Sequence, residues 1–185
     1  MDGNNRWAKS QGCSPRLGYQ HGAEAAKLVI NACVERAIPY VTLFAFSSEN
    51  WVRPSGEIKS LMALFLTVLK RGEIQKLHNN NVRLLFIGKR GNFSDKIQLG
   101  MKQAEDLTQN NTGTTVIVAA DYGGRWDLVN ATIKIFNKIR SKEISMEQIN
   151  EEMLSSYTSL NGFPDPDLCI RTGGERRLSN FLLWQ

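Results

Sequence analysis

The spacing of apolar residues along this chain predicts helices and strands in alternation. Between residues 23 and 37, Leu28, Val29, Ala32 and Cys33 recur at helical spacing, and Pro39 ends the pattern. Residues 40–46 (Tyr-Val-Thr-Leu-Phe-Ala-Phe) are apolar almost throughout. A strand of that composition is typical of a parallel sheet that is covered on both faces.

The alternation continues along the rest of the chain. We predict a helix from about residue 58 to about residue 77, strands at 82–87, 115–120 and 167–170, and helices around 97–104 and 128–136. Strands separated by helices form β-α-β units, so we expect an α/β fold with a mostly parallel sheet flanked by helices on both faces. Because the 185 residues contain no low-complexity linker, residues 1–185 are predicted to form a single domain.

Composition narrows the functional classes only slightly. The net charge of +5 and the pI of about 9.2 suit nucleic acid, anionic membranes or phosphorylated substrates, but the basic residues are dispersed along the chain. The widely spaced Cys13, Cys33 and Cys169 favour neither a disulfide framework nor a zinc site. No apolar run approaches the length of a membrane span. We therefore expect a cytoplasmic protein.

Polar residues concentrate where the predicted strands end. Residues 47–54 (Ser-Ser-Glu-Asn-Trp-Val-Arg-Pro) follow the first strand, and residues 121–125 (Asp-Tyr-Gly-Gly-Arg) follow the strand at 115–120. The glycine turn in the second segment leads into a helix, and we expect it to face an anion. Ligands of parallel sheets bind beyond the carboxyl ends of the strands, so these exits predict one shared site.

The strand predicted at 167–170 leads into the most basic of these exits. Residues 171–180 (Arg-Thr-Gly-Gly-Glu-Arg-Arg-Leu-Ser-Asn) contain three arginines, which would repel one another unless they shared a polyanion. Gly173 and Gly174 would let backbone N–H groups approach that anion closely. The pattern favours diphosphate as the ligand, and a solvated basic turn is the alternative.

The first residues offer the groups that a metal-bound diphosphate needs. Asp2 is a candidate Mg²⁺ ligand, and the Gly-Asn-Asn-Arg that follows supplies backbone donors and a guanidinium within one helical turn. The alternative is a frayed terminus in which Asp2 only caps a helix.

Four long motifs occur in order along the whole chain. They are residues 1–9 (MDGNNRWAK), 46–54 (FSSENWVRP), 122–125 (YGGR) and 170–181 (IRTGGERRLSNF). Together they resemble the motifs of the cis-prenyltransferases, closely those of the bacterial undecaprenyl diphosphate synthases. The chain contains no Asp-Asp-x-x-Asp, the motif with which the trans-prenyl synthases hold magnesium.

The resemblance implies a homodimeric, Mg²⁺-dependent transferase that adds isopentenyl diphosphate to farnesyl diphosphate with cis double bonds. The product would be undecaprenyl diphosphate, the lipid carrier precursor for cell-wall synthesis, and its release would bring the protein into transient contact with the inner membrane surface. Asp2 would be a catalytic residue and the metal ligand. Asn50 matches the family position assigned to proton removal from the condensing unit. Because an amide is a poor base, we expect Asn50 to position that proton for the departing diphosphate.

The resemblance also implies a set of substrate contacts. The allylic diphosphate would lie over the amino-terminal motif and isopentenyl diphosphate in the arginine-rich segment, with Trp51 and Arg53 holding the reacting groups together. The candidate substrate-binding residues are Gly3, Asn4, Asn5, Arg6, Trp7, Arg16, Tyr19, Ser47, Ser48, Glu49, Trp51, Arg53, Arg171, Arg177, Leu178 and Ser179.

An apolar product tunnel would hold the growing hydrocarbon. The best candidate walls are the helix that bears Leu61, Met62, Phe65 and Leu69 and the strand that bears Ala45, although ordinary core packing explains the same residues.

Three positions depart from the family pattern. Asn5 stands where the family usually has glycine, and asparagine tolerates the left-handed backbone. Aligning the flanking glycines places Tyr19 at the family's histidine position and Arg16 one place after its arginine. Arg16, Tyr19 and His21 are therefore candidate diphosphate contacts, and His21 or His78 can equally be an ordinary surface or core residue.

Two other functional classes stay open. A noncatalytic subunit of the same fold would keep the core, but it would not be expected to retain Asp2, Arg171 and Arg177 together. A basic nucleic-acid-binding protein would carry its positive residues on one face with aromatic residues between them.

The family pattern also predicts the activity of the isolated chain. Its members have an apolar strand before the Asp-Gly-Asn motif and an acidic metal ligand beyond the position of Gln185, and this sequence has neither. We therefore expect the chain to be a fragment or to turn over poorly. Diphosphate release from farnesyl and isopentenyl diphosphates with Mg²⁺ measures this, and turnover on the order of 1 s⁻¹ or faster contradicts it.

Overall fold

The computed structural model describes residues 2–185, and within that range the chain alternates helices with three strands. In chain order the elements are α1 (Asn4–Ser10), α2 (Pro15–Glu35), β1 (Tyr40–Ser47), α3 (Ser55–Val68), α4 (Arg71–Asn79), β2 (Arg83–Ile87), α5 (Asp95–Thr108), β3 (Thr115–Tyr122), α6 (Gly124–Arg140) and α7 (Glu151–Tyr157). Short 3-10 segments lie at Ser48–Val52, Arg90–Asn92 and Met146–Gln148.

The sheet is parallel, with β3 at its centre. The strand order is β1-β3-β2, and Thr115 of β3 lies opposite Tyr40 on one side and Arg83 on the other. Nearly every residue of β3 is buried, as expected for a strand that is flanked by two neighbours and covered above and below. The three strands predicted at 40–46, 82–87 and 115–120 are confirmed, as is their parallel pairing.

Helices and loops cover both faces of the sheet. Val116 and Ala120 of β3 belong to a core that α2, α3, α4 and α5 complete with Ile30, Phe65, Ile74 and Met101. Ile117 and Ala119 belong to a second core, which includes Trp126 of α6 together with Leu160, Phe163, Phe181 and Leu182. The side chains of a strand alternate between faces, so β3 contributes to both cores. The predicted α/β fold with helices on both faces is confirmed.

The strand predicted at residues 167–170 is wrong. This segment is irregular, and Leu168 and Ile170 are 74% and 77% exposed. Among the described residues, no backbone–backbone hydrogen bond involves positions 164–179. A strand needs a neighbour for its N–H and C=O groups, and none lies beside this segment.

The helix predicted from about 58 to about 77 is two helices. Lys70 has extended backbone angles (φ −61°, ψ 141°) and separates α3 from α4. Leu69 packs over Gly100 of α5, where an added Cβ would lie 3.3 Å from Leu69 Cδ1. Leu69 thus packs against the core directly before the turn at Lys70. The apolar periodicity continues through the turn and conceals it.

The helix predicted around 128–136 is present as α6, but Val129, Ile133 and Phe136 are more than half exposed. Ala131 and Ile135 are the apolar residues of α6 that are buried. None of the helices in the described range is long and apolar enough to cross a membrane.

Gly88 connects β2 to the following turn at a point where β3 passes very close. Its φ of 116° favours glycine, and an added Cβ would lie 2.1 Å from the carbonyl oxygen of Ala120. We expect Gly88→Ala to lower the free energy of unfolding by about 2–4 kcal/mol, because the backbone itself must shift.

Urea unfolding followed by circular dichroism measures this loss. Gly91→Ala is the matched control, since a Cβ there meets nothing within 4 Å, and it should change the unfolding free energy by less than about 1 kcal/mol. Equal losses in the two variants would contradict the steric explanation.

Candidate functional site

The two ends of the chain meet at Asp2 and Arg171. Arg171 Nε donates to Asp2 Oδ2 at 2.8 Å, although the residues are 169 positions apart. The hydroxyl of Thr172 donates to the carbonyl oxygen of Asp2 at 3.1 Å. Arg171 Nη1 also donates to the carbonyl oxygen of Arg177 at 2.5 Å and to Ser179 Oγ at 3.0 Å. One guanidinium therefore organises the whole segment 171–179 around Asp2.

Two acidic residues balance the arginines of this segment. Asp2 pairs with Arg171, while Glu175 lies 3.2 Å from Arg177 and 3.4 Å from Arg6. Carboxylates of the protein therefore offset the charge of two of the three arginines, and diphosphate as their shared ligand stays a prediction. An anionic ligand would have to compete with these carboxylates for the guanidinium groups.

Glycine is required where the two ends approach each other. Gly3 has a φ of 82°, and a Cβ there would lie 3.2 Å from Gly173 Cα. A Cβ on Gly173 would lie 2.7 Å from Asp2 Oδ2 and 2.9 Å from Arg6 Nη2. The two glycines therefore let the motif at residues 2–6 lie directly against the segment 171–179.

Asp2 is ionised at neutral pH. Its partial burial acts to raise the pKa, but hydrogen bonds from Arg171 and from the N–H of Gly3, with the charges of Arg171 and Arg6, outweigh burial and hold the pKa below its ordinary value. The carboxylate is also 41% exposed, so an ion can reach it.

The donor set at Asp2 fits a substrate-bound magnesium ion. No group of three or more His, Cys, Asp and Glu side chains within residues 2–185 is arranged to hold a metal. Mg²⁺ commonly takes one or two carboxylates and fills its other positions with water and phosphate oxygens. A single carboxylate is therefore a suitable ligand for a Mg²⁺ ion that phosphate oxygens also bind.

The exit of β1 is fixed by a reciprocal cap. The N–H of Glu49 donates to Ser47 Oγ at 3.2 Å, and the N–H of Ser47 donates to Asn50 Oδ1 at 3.1 Å. The carbonyl oxygen of the Asn50 side chain is thus engaged by the backbone, and its amide nitrogen can only donate. Trp51 packs against Phe46 and Phe93, with ring centroids 4.8 and 5.7 Å away.

Tyr19, Arg53 and Glu57 form a hydrogen-bonded group beside this exit. The Tyr19 hydroxyl donates to Glu57 Oε2 at 2.8 Å, and Arg53 Nη1 donates to the Tyr19 oxygen at 2.9 Å. Burial and the hydrogen bond to Glu57 raise the pKa of Tyr19, so its phenol stays protonated. The group joins α2 to the start of α3.

The glycine turn at Gly123 and Gly124 does not face an anion, so that prediction is wrong. The N–H of Gly124 donates to the carbonyl oxygen of Asn180 at 2.9 Å, and the N–H of Arg125 donates to Asn180 Oδ1 at 2.9 Å. Asn180 therefore occupies donors at the start of α6 that a phosphate would need. The close contact also requires glycine, since a Cβ on Gly123 would lie 2.6 Å from Asn180 Nδ2.

A cavity of about 1110 Å³ opens between these groups. Its mouth carries the charged and polar residues described above, and its inner walls are the apolar side chains of α3, α4 and the sheet. The candidate site residues that line it are Asp2, Asn4, Tyr19, Ser47, Glu49, Asn50, Arg53, Arg171, Arg177, Leu178 and Ser179. Its apolar lining includes Ala45, Leu61, Phe65 and Leu69.

The other candidate residues lie outside the lining of this cavity, namely Gly3, Asn5, Arg6, Trp7, Arg16, Ser48 and Trp51. Arg16 lines a neighbouring cavity of about 230 Å³ between α2 and α3. Trp7 packs against His21 with the rings tilted by 57° and their centroids 4.8 Å apart. Asn5 and His78 each keep one buried side-chain atom, Oδ1 and Nδ1, without a partner in the described chain.

Sequence reasoning missed two residues of this region. Asn180 was part of a recognised motif, but nothing in its position revealed that it joins two strand exits. Glu57 follows Arg53 by four residues, the spacing of an ion pair on a helix, and that spacing is the signal that could have found it.

Comparison with known proteins identifies relatives along the whole chain. The family model described as "Putative undecaprenyl diphosphate synthase" matches residues 1–185. The ditrans,polycis-undecaprenyl-diphosphate synthase ((2E,6E)-farnesyl-diphosphate specific) of Vibrio cholerae is 48% identical over 185 residues, which are 100% of this chain and 74% of that protein. The enzyme of the same name from Pseudomonas aeruginosa is 46% identical, over 100% of this chain and 73% of its own.

A solved structure has the same fold. Lavandulyl diphosphate synthase from Lavandula x intermedia, in complex with dimethylallyl diphosphate, superposes with a TM-score of 0.95 at 34% identity. The match covers 100% of this chain and 80% of that one.

Asn180 links the exits of β1 and β3, because its Nδ2 also donates to Glu49 Oε1 at 3.1 Å. We expect Asn180→Asp to lower the free energy of unfolding by about 1–3 kcal/mol, since a carboxylate would lose the donor and lie against Glu49. Thermal unfolding measures this. Asn161→Asp, at an exposed position, is the control and should change little. If the two variants lose the same stability, Asn180 does not join the exits.

Proposed function

This chain belongs to the cis-prenyltransferase family of the undecaprenyl diphosphate synthases, and we propose that it condenses isopentenyl diphosphate onto farnesyl diphosphate to form undecaprenyl diphosphate. The observation that carries the proposal is the pairing of Asp2 with Arg171 at the mouth of a large apolar cavity. The catalytic domain would comprise residues 1–185.

The cavity suits substrates with an anionic head and an apolar tail. Arginines and backbone N–H groups at the mouth would bind the two diphosphates, and the walls formed by residues such as Leu61, Phe65 and Leu69 would form the product tunnel. Each buried methylene contributes about 0.8 kcal/mol, so a growing prenyl chain favours the interior.

Two sub-sites follow from the positions of the cationic groups. The allylic diphosphate would lie over residues 3–6, with Arg6 beside it. Isopentenyl diphosphate would lie against Arg171, Arg177 and Ser179. Binding would exchange the Arg171–Asp2 and Arg177–Glu175 pairs for phosphate contacts, which frees the Asp2 carboxylate for Mg²⁺.

In the condensation, the C–O bond of the allylic diphosphate breaks and a C–C bond forms to the alkene of isopentenyl diphosphate. One proton then leaves the condensing unit as its new double bond forms. Bound Mg²⁺ would neutralise the negative charge that develops on the leaving diphosphate. The guanidinium groups would hold the two reacting carbons together, which lowers the entropic cost of the encounter.

The geometry at Asn50 favours a positioning role over that of a base. Its side-chain oxygen accepts the N–H of Ser47, so the free part of the amide is a donor. A donor can orient a phosphate oxygen toward the proton that must leave. The departing diphosphate would then accept this proton.

Assembly and location are part of the same proposal. The exposed apolar side chains Val129, Ile133 and Phe136 occupy one stripe of α6 and offer a surface for the second copy of a homodimer. We place the enzyme in the cytoplasm, with transient membrane contact when the lipid product leaves. The nucleic-acid alternative is less favoured, because the family model and the relatives that match the whole chain are undecaprenyl diphosphate synthases.

The proposal is tested by incorporation of labelled isopentenyl diphosphate into prenyl products. With protein in excess over farnesyl diphosphate and with Mg²⁺ present, even slow condensation is counted. We expect Asp2→Asn and Arg171→Ala each to lower the rate of condensation by at least about 10²-fold. Asp2→Asn would remove the carboxylate that holds Mg²⁺, and Arg171→Ala would remove a guanidinium group that binds diphosphate, so each would weaken the stabilisation of negative charge.

Asp106→Asn is the matched control, because Asp106 pairs with Lys102 on the surface of α5, and it should keep the parental rate. Absence of labelled product from the parental chain, or equal rates in Asp2→Asn and Asp106→Asn, would overturn the proposal.

A further inference from the structure

The cavity has a second charged region far from the diphosphate mouth. Lys27, Glu73 and Lys76 line it there, next to Asn79 and Asn80. Lys27 lies eight residues after Tyr19 on α2, which is about 12 Å along the helix axis. α3 starts just after Arg53 and extends for 14 residues, about 21 Å, before the chain reaches Glu73 on α4. The charged groups thus mark the end opposite Arg53.

An ion pair joins α2 to α4 at this end. Lys27 Nζ lies 2.8 Å from Glu73 Oε2 and 3.1 Å from Glu24 Oε1. Lys76 Nζ lies 2.8 Å from Glu73 Oε1. The pair lies close to Lys70, where α3 gives way to α4, so it also holds α4 against α2.

The pair remains charged throughout the physiological pH range. Hydrogen bonds from Lys27 and Lys76 lower the pKa of Glu73 to about 2, and the hydrogen bonds to Glu73 and Glu24 raise the pKa of Lys27. The side chains are 41% and 29% exposed, so both charges keep contact with water.

Apolar side chains of the walls adjoin this pair. Leu69, Ile74 and Leu77 line the cavity beside it. A hydrocarbon tail gains free energy with each methylene that leaves water for such walls. A tail that reached the pair would have to displace water from two charged groups. A hydrocarbon cannot replace the hydrogen bonds of that water, so this displacement is unfavourable. Further lengthening of the tail would therefore bring no further gain.

We propose that the Lys27–Glu73 ion pair is the stop that sets the length of hydrocarbon the cavity holds. This applies to any amphiphile with a phosphate head. The extension to product length rests on the proposed function: chains would stop growing when the tail meets the pair.

A series of saturated n-alkyl phosphates of increasing length tests the stop without turnover. By isothermal titration calorimetry, the Kd of the parental chain should fall about fourfold for each added methylene and then become constant. In the variant Lys27→Met/Glu73→Met, the Kd should become constant only at longer alkyl tails, because the end of the cavity becomes apolar. Glu73→Gln keeps the side-chain shape. It should also move the length at which the Kd becomes constant toward longer alkyl tails, but by less.

Lys102→Met/Asp106→Met removes a surface ion pair of α5 and is the matched control, which should keep the parental length limit. Thermal unfolding of each variant shows that it is folded, and Glu73→Gln decides the test if the double variant is not. An unchanged limit in every variant, or binding that does not depend on tail length, would overturn the proposal.

Product length provides the second measurement, by chromatography of the labelled prenyl products. We expect longer products from Lys27→Met/Glu73→Met than from the parental chain. If no condensation occurs but the alkyl phosphate limit shifts, the proposed function fails and the stop remains. If condensation occurs and neither limit shifts, the stop fails and the proposed function remains.

Discussion

The contact between Asp2 and Arg171 is the interaction on which the site depends. It joins positions 169 residues apart and organises a segment that has no regular secondary structure. Because Arg171 also binds the carbonyl oxygen of Arg177 and the hydroxyl of Ser179, one guanidinium fixes the shape of the mouth. The same contact keeps a carboxylate and a guanidinium, the groups that a magnesium diphosphate requires, side by side.

The ion pairs at the mouth are arranged so that a diphosphate could replace the carboxylates as partner of the guanidinium groups. Asp2 and Glu175 pair with Arg171 and Arg177, so these two guanidinium groups have partners within the protein. A diphosphate would take over the guanidinium groups and leave the carboxylates for a metal. Asn180 stabilises this mouth, because its side-chain hydrogen bonds join the exits of β1 and β3 to the segment that carries Arg171.

The cavity is apolar between two charged ends. The mouth gathers its charges from three separate parts of the chain, whereas the far end gathers them from α2 and α4 alone. Free energy from hydrocarbon burial accumulates only between these ends. The architecture of the cavity therefore links where a phosphate head is held to how long a tail can become.

Sequence periodicity by itself determined the three strands, their parallel arrangement and most of the helices, because the apolar pattern of an element is local. The motifs also predicted a site at the exits of β1 and β3. Tertiary structure decided what depends on partners distant in the sequence. Residues 167–170 have strand-like composition but no neighbouring strand. Leu69 packs over Gly100 of α5 just before the turn between α3 and α4. Asn180 accepts the N–H groups of Gly124 and Arg125, which were predicted to face an anion. A local pattern cannot reveal such partners, since hydrogen bonds and packing are settled only when distant segments meet.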